Sequence, residues 1–188
     1  MGLVKTALPD VWEITPRRFG DLRGFFSESY NAKVFSEQGI NAVFVQDNHS
    51  VSEAAGTVRG LHFQSPPHAQ AKLVRCGRGA VFDVAVDIRR GSPTYGDWVG
   101  AELSFETGKQ LLVPAGFLHG FITLEPNSEI IYKCSNFYVP ECDGAVRFDN
   151  QTIGINWPVT DTNPVLSDKD SVAPFFSDFD SAFIFEEI

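Results

Sequence analysis

The feature that most constrains the fold is a two-residue hydrophobic period, interrupted at short intervals by turn residues. In the segment "AVFDVAVDIR", one face takes Phe82, Val84, Val86 and Ile88, and the other takes Val81, Asp83, Ala85 and Asp87. Because successive side chains of a strand point to opposite faces, this pattern predicts a half-buried strand. Turn signals such as "CGRG", "ETGKQ" and "EPNSE" recur along the chain. Short strands at this spacing predict an antiparallel sandwich or barrel rather than βαβ units.

The sequence contains one clear helix signal and no sign of a second domain. The segment "NAKVFSEQG" predicts a helix, with Asn31 as its N-cap and Gly39 as its end. A chain of 188 residues with 43% hydrophobic residues can bury one core and is short for two. We therefore expect a single domain over residues 1–188, in which the segment after Pro164 forms an appended strap.

Charge and hydropathy restrict the classes of partner. The formal net charge is −9, which argues against binding of nucleic acid or an anionic membrane, since both need a basic face. No apolar run approaches the length of a membrane helix, and no signal peptide is evident. The three cysteines form no CxxC pair, which favours reduced thiols and a cytoplasmic location. An anionic ligand would need a local cluster of Arg and Lys.

Two histidines lie at spacings that resemble the paired motifs of the cupin barrels. His62 follows Gly56 after five residues, and "GKQLLVPAGFLHGF" places His119 after a G-x5-P-x-G-x2 pattern. In cupins, two hairpins of an antiparallel jelly roll carry such motifs and direct their ligands into the barrel. The resemblance implies an all-β, cupin-like jelly-roll barrel with a few short helices.

The first of these motifs lacks its usual metal ligands. Gln64 stands where the pattern has a second histidine, and no glutamate lies between Gln64 and Gly79. A stable divalent site needs three or four imidazole or carboxylate ligands, and only His62 and His119 remain. We therefore expect a cupin barrel without a metal. A metal-dependent cupin oxygenase or isomerase is the alternative that the missing ligands oppose.

Lys72 suggests what replaces the metal. It lies an even number of residues after His62, so the two side chains share one face if a regular strand runs through both, although "SPPHAQ" lies between them. A lysine ammonium inside a barrel can stabilise the oxyanion formed when a proton leaves the carbon beside a carbonyl. This arrangement favours enolate chemistry.

Ten segments in order resemble the dTDP-4-dehydrorhamnose 3,5-epimerase family over about Asp10 to Asp170. They are "DLRGFFSE", "QDNHS", "VRGLHFQ", "QAKLVRC", "FDVAVDIR", "GSPTYGDW", "VPAGFLHGF", "YKCSNFYVPE", "GINWP" and "LSDKD". The resemblance implies inversion at C3 and C5 of dTDP-4-dehydro-6-deoxy-D-glucose, without a cofactor. It also implies a homodimer with N-terminal strand exchange, in which "DLRGFFSE" serves the neighbouring subunit.

The same resemblance implies the roles of individual residues. His62 is the general base, Asp170 is its carboxylate partner, Tyr132 is the acid, and Lys72 faces the enolate oxygen. The implied substrate contacts are Arg23 and Arg59 at the diphosphate, Tyr138 stacked on thymine, and Glu28, Gln46, Asn48, His119, Asp143 and Lys169 elsewhere. Asp143 stands where the family usually carries glutamate, and Phe137 where a second tyrosine is common.

Other functions remain compatible with this sequence. A related dTDP-keto-sugar epimerase would invert C3 or C5 only. A barrel could also bind a nucleotide sugar without turnover, although His62, Asp170 and Tyr132 oppose that interpretation. Without the resemblance, a lone histidine on an apolar strand is an ordinary structural residue, and a lysine such as Lys72 is an ordinary surface residue whose ammonium reaches water.

Overall fold

The computed structural model describes residues 1–8, 10–158 and 163–186. Within these residues the strands are β1 Gly2–Lys5, β2 Trp12–Thr15, β3 Arg18–Asp21, β4 Gly24–Ser27, β5 Gln46–Ser52, β6 Val58–Gln64, β7 Lys72–Arg78, β8 Ala80–Asp87, β9 Trp98–Ser104, β10 Gln110–Val113, β11 Phe117–Thr123, β12 Ser128–Cys134 and β13 Asp143–Ala145. Helices α1 Ala32–Glu37 and α2 Asp168–Ser171 are short, as are the 3-10 turns Pro140–Cys142 and Phe176–Asp178.

The strands form two facing sheets and a separate hairpin. One sheet has the order β1-β2-β10-β7-β12-β5 and the other β13-β6-β11-β8-β9, while β3 pairs with β4. The pairings between these strands are antiparallel. The predicted antiparallel jelly-roll barrel with a few short helices is therefore confirmed. None of the helices in the described part of the chain is long and apolar enough to cross a membrane.

Strand β8 is buried on both faces, so the prediction of a half-buried strand is wrong. Its inner face, with Val81 and Ala85, packs in the core between the two sheets. Its outer face is covered by segments from the C-terminal part of the chain, including Phe176 and Phe183. The sequence pattern alone does not show that the predicted strap lies over this face and removes it from water.

Helix α1 forms where the sequence predicts it. The Asn31 side chain accepts hydrogen bonds from the backbone N–H groups of Lys33 and Val34 at 3.0 and 3.3 Å. Gly39 follows the helix at φ +79°, a conformation that glycine adopts without steric cost. Phe35 of this helix is buried with Leu73 against the six-stranded sheet.

Candidate active site

Two adjoining cavities lie between the facing sheets. The first, of about 380 Å³, is lined among others by Arg59, His62, Lys72, His119, Tyr132 and Asp170. The second, of about 430 Å³, is lined among others by Gln46, Asn48, Gln64, Tyr138, Asp143 and Lys169. His62, Lys72 and Tyr132 line both. Most of the residues selected from the sequence therefore meet in one continuous space.

The pairing of β6 with β11 brings the two motif histidines together. His62 and His119 are directly opposite each other in the register of these strands. Gly60 lies at φ +128°, and a Cβ atom there would come within 2.7 Å of the Gly120 Cα. The glycine of "RGLH" is therefore required for the close approach of the two strands that places His62 in the cavity.

His62 forms a hydrogen-bonded pair with a buried carboxylate. Its Nε2 lies 2.6 Å from Oδ1 of Asp170, which is 3% exposed. Ser167 caps helix α2, since its hydroxyl accepts a hydrogen bond from the Asp170 N–H at 3.1 Å. Burial opposes ionisation of Asp170, but the hydrogen bond and charge of His62 hold the pKa of this carboxyl below its ordinary value. The arrangement orients the imidazole and can stabilise its protonated form.

Lys72 reaches the same cavity from the opposite sheet. Strand β6 ends at Gln64 and β7 begins at Lys72, so no single strand runs through both His62 and Lys72. The expectation of a shared interior is met because the two strands face each other. Burial lowers the pKa of the Lys72 ammonium, an effect that the charges of Cys134, Asp143 and Asp83 partly oppose.

Tyr132 lies on β12, next to Lys72 in the six-stranded sheet. The Lys72 Nζ is 6.0 Å from the centroid of its ring. Burial raises the pKa of Tyr132, while the nearby polar side chain of Asn48 acts in the opposite direction. A protonated hydroxyl is therefore presented from the sheet that faces His62.

The second histidine has its own buried carboxylate. Nε2 of His119 lies 3.1 and 2.9 Å from the two carboxylate oxygens of Asp83 on β8. Sequence reasoning did not select Asp83, although its place among apolar residues of a buried strand was the available signal. The pair fixes the imidazole of His119 in the wall of the first cavity.

The described residues contain no group of three or more His, Cys, Asp or Glu side chains arranged to hold a metal ion. Nε2 of each motif histidine faces a carboxylate, and Gln64 bonds to backbone groups. The donor set present here does not fit the usual cupin metal site.

Several polar side chains that line the second cavity are joined by hydrogen bonds and an ion pair. The Tyr138 hydroxyl donates to Oδ2 of Asp143 at 3.1 Å, and Lys169 forms an ion pair with the same oxygen. The carboxylate of Asp143 raises the pKa of Tyr138. Gln46 Nε2 donates to Asn48 Oδ1 at 3.0 Å. These five predicted substrate contacts therefore lie together.

The two predicted diphosphate arginines are placed differently. Arg59 lines the first cavity, where its guanidinium donates to Ser52 Oγ at 3.2 Å and to the Val51 carbonyl at 3.0 Å. Arg23 lies at the turn of the β3–β4 hairpin, 89% exposed, and pairs with Asp21. Arg23 and Glu28 do not line either cavity of their own chain. Their predicted role in the partner's site remains a prediction.

Sequence comparison gives the family of this chain. The profile described as dTDP-4-dehydrorhamnose 3,5-epimerase matches residues 5–178. The chain belongs to this family. It is 53% identical to the dTDP-4-dehydrorhamnose 3,5-epimerase of Salmonella typhimurium, over 93% of this chain and 94% of the relative. The predicted membership is thus confirmed.

Solved structures of the epimerase family share the fold. A dTDP-6-deoxy-D-glucose-3,5-epimerase from Legionella pneumophila, in complex with dTDP-4-keto-L-rhamnose, is 43% identical with a TM-score of 0.91, covering 95% of this chain and 94% of that one. A 3'-monoepimerase from Streptomyces bikiniensis, in complex with dTDP-quinovose, is 34% identical with a TM-score of 0.85, covering 92% and 86%. Double and single epimerases therefore share this architecture.

Proposed function

We propose that this chain inverts C3 and C5 of dTDP-4-dehydro-6-deoxy-D-glucose to give dTDP-4-dehydro-L-rhamnose. The observation that carries the proposal is that His62, which is paired with Asp170, and Tyr132 lie on opposite sheets, with Lys72 in the same cavity. Inversion needs a base on one face of the sugar and an acid on the other, because a single group would return the proton to the face it left.

The first step is removal of the proton on a carbon next to the C4 ketone. His62 Nε2 donates to Asp170, which leaves Nδ1 to accept the carbon proton. The electron pair of the broken C–H bond moves into the carbonyl to form an enolate. The buried Asp170 carboxylate stabilises the resulting imidazolium, and the Lys72 ammonium stabilises the enolate oxygen.

The second step returns a proton to the other face of the same carbon. Tyr132 is suited to this because burial raises its pKa, so that the hydroxyl stays protonated until it is used. The enolate collapses to the ketone as the new C–H bond forms, and solvent later resets both residues. The same sequence at the second carbon completes the reaction without a cofactor.

The nucleotide is held by the residues around the two cavities. Arg59 binds the diphosphate through charge-assisted hydrogen bonds, which explains how an acidic protein takes an anionic substrate. Tyr138 stacks on thymine, and Gln46, Asn48, His119, Asp143 and Lys169 supply further contacts. Because Asp143 is one methylene shorter than the family's usual glutamate, its contact with the substrate is longer or bridged by water.

The β3–β4 hairpin supports a homodimer as the working state. It forms a separate two-stranded sheet and exposes apolar side chains, with Phe26 71% exposed. Exposed apolar surface of this kind is typical of an interaction site. A second copy of this chain would cover it, and the hairpin would bring Arg23 to the partner's diphosphate site and Glu28, which follows β4, to another substrate contact there. The protein is proposed to work as one domain, 1–188, in the cytoplasm.

Incubation with the dTDP-4-keto sugar in deuterated water tests the proposal. Deuterium at both C3 and C5, located by NMR, is the expected result. Label at one carbon would select a single-site epimerase, which the similarity to a 3'-monoepimerase makes the second candidate. Absence of label would leave a barrel that binds the nucleotide sugar without turnover.

A further inference from the structure

A buried amide in the wall of the second cavity has both of its ends in use. Gln64 is 4% exposed and lies two residues after His62 on β6. Its Nε2 donates to the Phe137 carbonyl at 2.9 Å and also to the His68 carbonyl, and its Oε1 accepts from the Val139 N–H at 2.8 Å. The Phe137 carbonyl and the Val139 N–H, to which Gln64 is bonded, belong to the two residues that flank Tyr138.

A second glutamine holds the residue between them. Gln46 Oε1 accepts from the Tyr138 N–H at 3.1 Å. The backbone of three consecutive residues is therefore fixed by two side chains from other strands. The Tyr138 residue itself is 55% exposed, so its position depends on these backbone bonds more than on burial of the ring.

We infer that Gln64 is a positioning residue for nucleoside binding, and that it acts through Tyr138. The inference rests on the proposed function, in which the Tyr138 ring stacks on thymine. An amide suits this place because one side chain must both donate to a carbonyl and accept from an N–H. Gln64 stands where the cupin motif has its second histidine. In this chain the position fixes the segment around Tyr138 and does not supply a metal ligand.

The test is Gln64→Leu, which has a similar volume and removes both the donor and the acceptor. Titration with dTDP and steady-state kinetics with the keto sugar give Kd, KM and kcat. Loss of the two hydrogen bonds to Phe137 and Val139, each of ordinary strength, predicts a rise of about tenfold in Kd and KM. We expect a much smaller change in kcat, because His62, Lys72 and Tyr132 are unaltered.

Asn150→Leu is the matched control. Asn150 is also a buried amide, and its Oδ1 accepts from the Thr152 and Ile153 N–H groups at 2.9 and 3.4 Å, outside both cavities. A purely structural effect would lower Tm in both variants and leave the affinity for dTDP unchanged in both. The inference requires that only Gln64→Leu weakens dTDP binding.

A double-mutant cycle with Tyr138→Ala tests whether Gln64 acts through the tyrosine. If it does, the double variant loses no more affinity for dTDP than Tyr138→Ala alone, because Gln64 then has no aromatic ring to position. Additive losses would overturn the inference. Wild-type protein that failed to bind dTDP would overturn the proposed function and this inference together. Tight wild-type binding with an unchanged Gln64→Leu would overturn the inference alone.

Gln64→Glu keeps the inference testable if the leucine variant does not fold. The carboxylate retains an acceptor for the Val139 N–H but places negative charge against two carbonyls, so dTDP binding weakens at neutral pH. Protonation of the introduced carboxylate restores a hydrogen-bond donor. The ratio of the dTDP Kd of Gln64→Glu to that of wild type should therefore decrease as the pH falls. The ionisable groups that line the same cavity are present in both proteins, so their own titration contributes to both pH profiles; they are His49, His62, Lys72, Tyr132, Tyr138, Asp143 and Lys169. A Kd ratio that did not change with pH would contradict the inference.

Discussion

His62 and Asp170 are 108 positions apart in the chain, yet their side chains meet at 2.6 Å. The histidine belongs to a central strand of the barrel, and the aspartate belongs to a one-turn helix in the segment that closes over it. The Gly60 N–H lies 3.5 Å from the second oxygen of the same carboxylate. The proposed base is therefore oriented by a segment outside the sheet that carries it.

Replacing the base tests this pair most directly. His62→Ala should reduce deuterium exchange at both carbons together, by about 10²- to 10⁴-fold, because general-base catalysis is lost. Asp170→Asn should reduce it less, since the imidazole remains but its protonated form loses a charged partner. Asp180→Asn, which alters an exposed aspartate paired with Arg90, is the control and should keep the wild-type rate. Near-normal exchange in His62→Ala would mean that another residue removes the proton from the sugar carbon.

Tyr132→Phe should separate exchange from inversion. The substitution keeps the ring and removes only the hydroxyl, so His62 and Lys72 can still form the enolate. The proton then returns from the imidazolium to the face it left, and inversion falls far more than exchange. Deuterium content and product configuration should be measured on the same samples. Equal losses of both would place Tyr132 in binding or enolisation.

The pH dependence should identify Lys72. Burial lowers its pKa, so the ammonium loses its proton at a lower pH than an ordinary lysine, and activity should fall as the pH rises through that value. Tyr132 titrates later because its pKa is raised. Lys72→Arg keeps a charge that does not titrate in this range, so its profile should lose this basic limb, while Lys72→Met should be slow at every pH. An unchanged limb in Lys72→Arg would exclude the lysine as its source.

Mixed dimers should show whether Arg23 acts in the partner's site. Arg23→Ala and His62→Ala homodimers should each be impaired. If the hairpin crosses over, a mixed dimer has one site with wild-type His62 and a wild-type Arg23 from the other subunit, and activity should recover to about half of wild type per dimer. Mixing two preparations of Arg23→Ala is the control. No recovery after verified subunit exchange would mean that Arg23 serves its own chain or neither site.

Metal removal should leave the rate unchanged. The described ligands do not fit a cupin metal site, so dialysis against a strong chelator should leave kcat and KM at their starting values. Restoration of a lost rate by iron or zinc would show that a metal takes part.

Alternation and motif spacing are local properties, and they predict the barrel with His62, His119 and Lys72. The resemblance to the family supplies most of the other residues around the cavity. The burial of the outer face of β8 depends on residues far along the chain, so the local pattern could not predict it. The same holds for the role of Gln64, whose partner Phe137 lies 73 positions away. Asp83 was missed because an aspartate on an alternating strand reads as solvent-facing. Asp170, in "SDKDS", reads as a turn residue until the resemblance to a family assigns it a role.

The placement of Asp170 in the strap also has a consequence during synthesis. The ribosome releases His62 and the strands of the barrel before the segment that carries Asp170, and Phe176 and Phe183 of that same segment complete the cover over the outer face of β8. Docking of the strap therefore buries the rest of this apolar face and brings Asp170 to His62. The proposed base therefore acquires its carboxylate partner only when the apolar face of the barrel has been covered.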